Sequence, residues 1–111
     1  KNTHRGNGRI INFRATDDIP GGTVGKFGPR IGVIEAPAEG IVRSGKLGNI
    51  HLGDERVFGK DSATAFAFGD AVVYDDTKEI MVAAGGNTPH GHVSAFEGAP
   101  AGSDTVAVIL V

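Results

Sequence analysis

Two apolar segments joined by a polar turn lie near the centre of the chain and constrain its fold more than any other feature. The first, residues 71–74, reads Ala-Val-Val-Tyr, and the second, residues 80–82, reads Ile-Met-Val. β-Branched and aromatic side chains favour strands, and the intervening Asp75 can open a type I turn by accepting a local backbone N–H. Neither strand alternates apolar with polar residues. The sequence therefore predicts a β-hairpin with both faces covered, by the core or by a partner.

Short strand patterns recur along the rest of the chain, separated by turns that draw on 18 glycines in 111 residues. We predict strands at residues 9–14, 30–36, 40–44, 48–52, 90–96 and 105–111, and loops at residues 17–28 and 53–62. Residues 63–68 fit either a strand or a helical turn. These patterns indicate an all-β fold, a compact antiparallel β-barrel or sandwich of about seven to nine short strands. It is expected to form one domain over residues 9–111, closed by the apolar C-terminal strand.

Charge is unevenly distributed along the sequence. The formal net charge is −2, yet four basic residues precede the first acidic one, Asp17, and from there on 7 basic residues face 13 acidic ones. Residues 1–8 are therefore predicted to be a flexible basic arm on an acidic body. The arm is either a solvated terminus or a segment that reaches an acidic neighbour. Nucleic-acid binding is disfavoured because the acidic body would repel phosphate.

Candidate catalytic or metal-binding chemistry is sparse. The chain has no cysteine, so thiolate catalysis and Cys-based metal sites are excluded. His90 and His92 have the spacing of a metal-binding pair on an extended segment, but a third ligand such as Asp75, Asp76 or His51 would have to lie nearby. A small metal-binding or hydrolytic β-barrel using His90 and His92 stays open as the alternative function. No apolar run approaches the ~20 residues of a membrane span, and no cofactor is predicted.

The second half of the sequence is similar to a known family. The shared features are an ordered series of turns and strands: Phe66, Gly69-Asp70, Tyr74-Asp75, residues 86–88 (Gly-Asn-Thr), Gly91 and the apolar residues 106–110, with residues 31–33 and 48–52 as earlier strands. In this order they resemble the capsid cement, or head decoration, proteins of tailed bacteriophages. The resemblance covers approximately residues 30–111.

The resemblance implies a non-enzymatic β-barrel protein of the virion that trimerises on the outer capsid surface and braces the major capsid protein. It implies no catalytic residue, cofactor, nucleic acid or membrane partner, and synthesis in the cytoplasm of a bacterial host. Under this hypothesis the arm docks on the capsid. The candidate docking residues are Lys1, His4, Arg5, Arg9 and Arg14. The candidate contacts between protomers are Val72, Tyr74, Met81 and Phe96.

Overall fold

The structure, a computed structural model, describes residues 10–111, and every regular element in that range is a β-strand. Its three sheets are all antiparallel. The predicted all-β class is confirmed, and no helix long and apolar enough to cross a membrane occurs in the described range. The strands are β1 (Ile10–Arg14), β2 (Ile19–Pro20), β3 (Val24–Phe27), β4 (Arg30–Glu35), β5 (Ile41–Val42), β6 (Leu47–Leu52), β7 (Glu55–Gly59), β8 (Ala71–Asp75), β9 (Ile80–Ala83), β10 (Gly91–Val93) and β11 (Thr105–Leu110).

The described residues group into two compact units, residues 10–53 and Asp54–Val111, which we call the N-terminal and C-terminal units. The N-terminal unit holds a four-stranded sheet in the order β1-β6-β4-β3 and a two-stranded sheet of β2 and β5. Alternate residues of β1, Ile11 and Phe13, pack against a core, because successive side chains of a strand point to opposite faces. The centre of that core consists of Ala15, Ile34, Val42, Ile50 and Leu52. The prediction of one domain over residues 9–111 stays a prediction.

The C-terminal unit is a five-stranded sheet in the order β7-β11-β10-β8-β9. The central hairpin of the sequence is confirmed as β8 and β9, with Tyr74 opposite Met81. The Asp75 carboxylate accepts hydrogen bonds from the Thr77 and Lys78 amides at 3.0 and 3.2 Å, which fixes the turn as expected from local Asp chemistry. Glu79 completes the turn in the left-handed region, at φ 59°.

The five-stranded sheet curls so that its two edge strands approach each other without forming a ladder. One isolated parallel bridge joins Lys60, which follows β7, to Met81 on β9. The ammonium of Lys60 is buried and donates to the backbone carbonyls of Asp61 and Thr64, so its desolvation is offset by hydrogen bonds. Because one isolated bridge is not a ladder, the sheet is not closed into a barrel between β7 and β9.

Several details differ from the strand patterns in the sequence. Within the loop predicted at residues 17–28, two segments form β2 and β3, because their backbone pairs with β5 and β4. Residues 55–59, within a predicted loop, form β7 because their backbone pairs with β11 and Phe58 turns into the core. The sequence of β11 is apolar at successive positions, but Val106, Val108 and Leu110 are buried whereas Ile109 is 48% exposed. The core of the protomer therefore covers only one face of the C-terminal strand.

Candidate docking surface

The most exposed aromatic side chains of the described residues form a pair in the C-terminal unit. Phe68 is 59% exposed and Phe96 is 85% exposed, and their ring centroids lie 5.7 Å apart with the planes tilted by 59°. Isolated exposed apolar residues are ordinary, but two adjacent aromatic rings in water are costly and commonly mark a contact surface. We call Phe68 and Phe96 the aromatic pair.

The two backbone segments that carry Phe68 and Phe96 are joined by hydrogen bonds. Phe66 and Ala99 exchange a reciprocal pair of backbone hydrogen bonds, each 2.8 Å long, and the Gly69 amide donates to the Val93 carbonyl at 2.8 Å. The Asp70 carboxylate accepts from the Ala67 amide at 2.8 Å and closes the turn that carries Phe68. These hydrogen bonds hold the two segments together close to the rings, so the aromatic pair is preorganised.

Gly98 sets the approach of these two segments. Its φ is 73°, in the region that disfavours residues with a side chain. A Cβ at this position would also collide with the backbone carbonyl oxygen of Phe66. The turn at residues 95–98, closed by a 2.8 Å hydrogen bond from the Gly98 amide to the Ala95 carbonyl, therefore requires glycine.

The other three candidate contacts between protomers lie elsewhere. Val72 and Met81 are fully buried, so in this structure they belong to the core and do not reach the surface of the protomer. Tyr74 is partly buried, with its ring centroid 6.1 Å from that of Phe58. Burial raises the pKa of the Tyr74 phenol, and the acidic side chains of the neighbouring turn raise it further. Among the four candidates, Phe96 alone presents a largely exposed side chain.

Sequence reasoning missed Phe68, the partner of Phe96. It lies directly before the Gly69-Asp70 turn, and an aromatic residue at a turn is the signal that could have drawn attention to it. Acidic residues adjoin both rings: Glu97 follows Phe96 and is exposed, and Asp70 lies two residues after Phe68. The aromatic pair is therefore an apolar surface in an acidic neighbourhood.

The predicted docking arm falls mostly outside the described residues. Lys1, His4, Arg5 and Arg9 lie there, and their role stays a prediction. Arg14 is the last residue of β1, opposite Leu47 on β6, and its guanidinium donates to the Gly45 carbonyl. Arg14 is therefore part of the four-stranded sheet.

The histidines of the alternative metal hypothesis lie at the start of β10. His90 accepts a 2.8 Å hydrogen bond at Nδ1 from the Tyr74 amide, so one of its two ring nitrogens is engaged in the fold. His92 lies on β10 between Ile109 and Ala71. Within residues 10–111, no group of three or more His, Cys, Asp or Glu side chains is arranged to hold a metal ion.

Comparison with known proteins identifies the family. A family model described as phage cement protein matches residues 4–110. The chain belongs to the phage cement protein family. No curated protein and no solved structure gives a significant match.

Membership in the phage cement family confirms the resemblance seen in the sequence and extends it. The match begins at residue 4, whereas the similarity noted from the sequence began near residue 30. The family name indicates a structural protein that associates with the phage capsid. The exposed aromatic pair on its preorganised backbone is a surface suited to contact with another protein chain.

Proposed function

We propose that this protein is a non-enzymatic cement protein that binds the outer surface of a phage capsid as a homotrimer and stabilises the shell. The observation that carries the proposal is the family match over residues 4–110, nearly the whole chain. The partner would be the major capsid protein, and one trimer would bridge neighbouring capsid subunits. A closed ring of three uses one heterologous contact three times.

The rigid presentation of the aromatic pair supports a binding role. Association costs entropy when side chains and loops must become ordered, and a surface already fixed by the fold avoids much of that cost. The hydrogen bonds between residues 66–70 and 93–99 supply such rigidity.

The basic residues near the N-terminus supply a second element of the proposal. Lys1, His4, Arg5 and Arg9 would dock on acidic positions of the capsid, adding little to the fold. A single exposed charge pair contributes only ~0–1 kcal/mol, but a trimer carries three such segments, and after the first contact the others bind at high effective concentration.

The test is decoration of purified capsids that lack cement protein. We expect the intact chain to co-sediment with capsids, to appear on their outer surface in cryo-electron microscopy, and to raise the temperature at which the shell opens. A chain lacking residues 1–8 should keep the melting temperature of the free protein and lose occupancy, and its difference from the intact chain should shrink as salt is raised, because screening weakens the charge contacts of the arm.

The matched control retains the arm and removes its charge by replacing Lys1 and Arg5 with glutamine. Loss of occupancy in this control as well would assign the effect to charge. Failure of the intact chain to bind capsids at low salt would refute the proposed function. Full decoration by the truncated chain at both low and high salt would show that the arm takes no part in capsid binding.

A further inference from the structure

The division of the chain into two units separates its charges. The described residues 10–53 carry 5 basic and 4 acidic side chains, a formal charge of +1, whereas Asp54–Val111 carry 3 basic and 9 acidic side chains, a charge of −6. Two acidic C-terminal units repel each other, so contact between copies is less opposed when the C-terminal unit of one meets the N-terminal unit of another. The charge pattern therefore favours contact between unlike units of different copies.

A recess in the N-terminal unit, beside the exposed Leu47, has room for one ring of the aromatic pair. Leu47 begins β6 and is 65% exposed; its neighbours are the basic residues Lys46, which precedes it, and Arg14, which lies opposite it on β1. Beside it lies a recess of about 220 Å³, lined by Glu35, Ala36, Pro37, Leu47, Gly48 and Asn49. A cavity of about 150 Å³ can hold a benzene molecule, so this recess has room for a phenyl ring.

Glu35 is the acidic member of that lining. Its carboxylate lies 3.2 Å from His51 Nε2, so it has a partner within its own sheet. Carboxylates therefore lie close in sequence to the two exposed rings. The exposed Leu47 has the cationic residues Lys46 and Arg14 as neighbours. Both surfaces present exposed apolar side chains, and Lys46 beside Leu47 is opposite in charge to Glu97 beside Phe96.

We propose that the aromatic pair of one protomer docks at the Leu47 recess of the next protomer, with Phe96 entering the recess and Glu97 facing Lys46. The inference rests on the trimer proposed above and names the surfaces that form it. A heterologous contact of this kind, repeated three times, closes a cyclic trimer. The occupant of the recess is a second copy of this chain.

Two observations favour a second copy over direct capsid contact by these rings. A recess that can hold a ring is present on the same chain, and Lys46 beside it is opposite in charge to Glu97 beside Phe96. An acidic neighbourhood would also oppose an acidic capsid surface, the kind of surface that the basic arm is proposed to bind. The rings and the arm are therefore assigned to different partners.

The first test breaks each side of the contact separately. Phe96→Asp and Leu47→Asp are each expected to convert the trimer to monomer in light scattering at micromolar concentration. The dissociation constant should rise about a hundredfold or more, as for loss of an aromatic hot spot. Because both side chains are largely exposed, circular dichroism and the melting temperature of the monomeric unit should report an intact fold.

The decisive measurement mixes the two variants. The Leu47→Asp chain keeps its aromatic pair and the Phe96→Asp chain keeps its recess, so an equimolar mixture can form one intact junction and should give heterodimers but no trimers. If rings from different copies instead met each other, Leu47→Asp would still trimerise. That result would overturn the inference.

Charge reversal tests the polar part of the contact. Glu97→Lys and Lys46→Glu should each weaken the trimer, and the double variant should recover it, since the pair is restored in the opposite sense. Val57→Asp is the matched control: Val57 is also exposed in the C-terminal unit but lies outside the aromatic pair, and its replacement should leave the trimer intact. Failure of the double variant to form the trimer again would refute the proposed contact between Glu97 and Lys46.

Capsid binding separates this inference from the proposed function. A Phe96→Asp chain that stays trimeric but no longer decorates capsids would show that the rings contact the shell, which overturns the inference and leaves the cement function standing. A monomeric intact chain at micromolar concentration would overturn the inference as well. An intact trimer that fails to bind capsids would refute the cement function while leaving the contact between protomers in place.

Discussion

Substitution of two adjacent residues at the end of β11 can measure which face of this C-terminal strand is covered. Leu110 is 3% exposed and Ile109 is 48% exposed, so the two side chains differ mainly in burial. Truncating a buried leucine to alanine costs ~2–5 kcal/mol, because transfer energy is lost and a cavity remains. Full burial of an aliphatic side chain contributes about 1.5–3 kcal/mol, so half-exposed Ile109 should contribute roughly 1 kcal/mol.

We therefore expect Leu110→Ala to lower the free energy of unfolding by about 3 kcal/mol and Ile109→Ala by about 1 kcal/mol. In urea the first change should lower the unfolding midpoint by roughly 1–3 M, given slopes of about 1–3 kcal/mol per molar. The assay is equilibrium urea unfolding followed by far-ultraviolet circular dichroism. It is best performed in the Phe96→Asp background, where association should not add to stability.

The comparison has a clear contradicting result. Equal losses from the two substitutions would mean that the Ile109 face is as well covered as the Leu110 face. The strand would then be buried on both sides, as its apolar sequence suggests, and the one-sided burial described here would be refuted. Repeating the measurement with Phe96 restored and at about tenfold higher protein concentration would show whether association supplies that cover.

Two further predictions concern the turn beneath the aromatic pair and the effect of acid. Gly98→Ala should destabilise the protein by at least ~1–3 kcal/mol, since it combines a positive φ with a collision against the Phe66 carbonyl. Gly86→Ala should be nearly neutral, because a side chain there meets nothing within 4 Å, and equal urea midpoints for the two variants would contradict the assignment. The Ser44 amide, hydrogen-bonded at 2.8 Å, lowers the pKa of Asp18, so this carboxylate stabilises the fold above its unfolded pKa, and that contribution is lost as pH falls below about 4. Asp18→Asn should flatten this part of the pH–stability curve, and an unchanged curve would contradict the assignment.

Much of the fold followed from short-range sequence signals. The hairpin of β8 and β9 was predictable because Asp75 satisfies its own turn amides and because the flanking residues favour strands. Strand β7 was not predictable, since its charged residues resemble a loop and only pairing with β11 makes them a strand. Edge-strand pairing of this kind depends on a partner far away in the sequence.

The candidate surface was predictable only in part. Phe96 was named from the sequence, but so were Val72 and Met81, which are buried. An apolar residue on a strand has the same local sequence signal whether it faces the core or a partner. Exposure is a property of the folded chain, so the sequence could not separate these cases.

The sequence by itself determined the family, the all-β class, the position of the central turn and the uneven distribution of charge. Each depends on residue order and on interactions within a few residues. The tertiary structure alone decided that Phe68 lies beside Phe96 and that β11 has one covered face. These features depend on which distant segments pack together, and that choice is made by the burial of apolar surface over the whole chain.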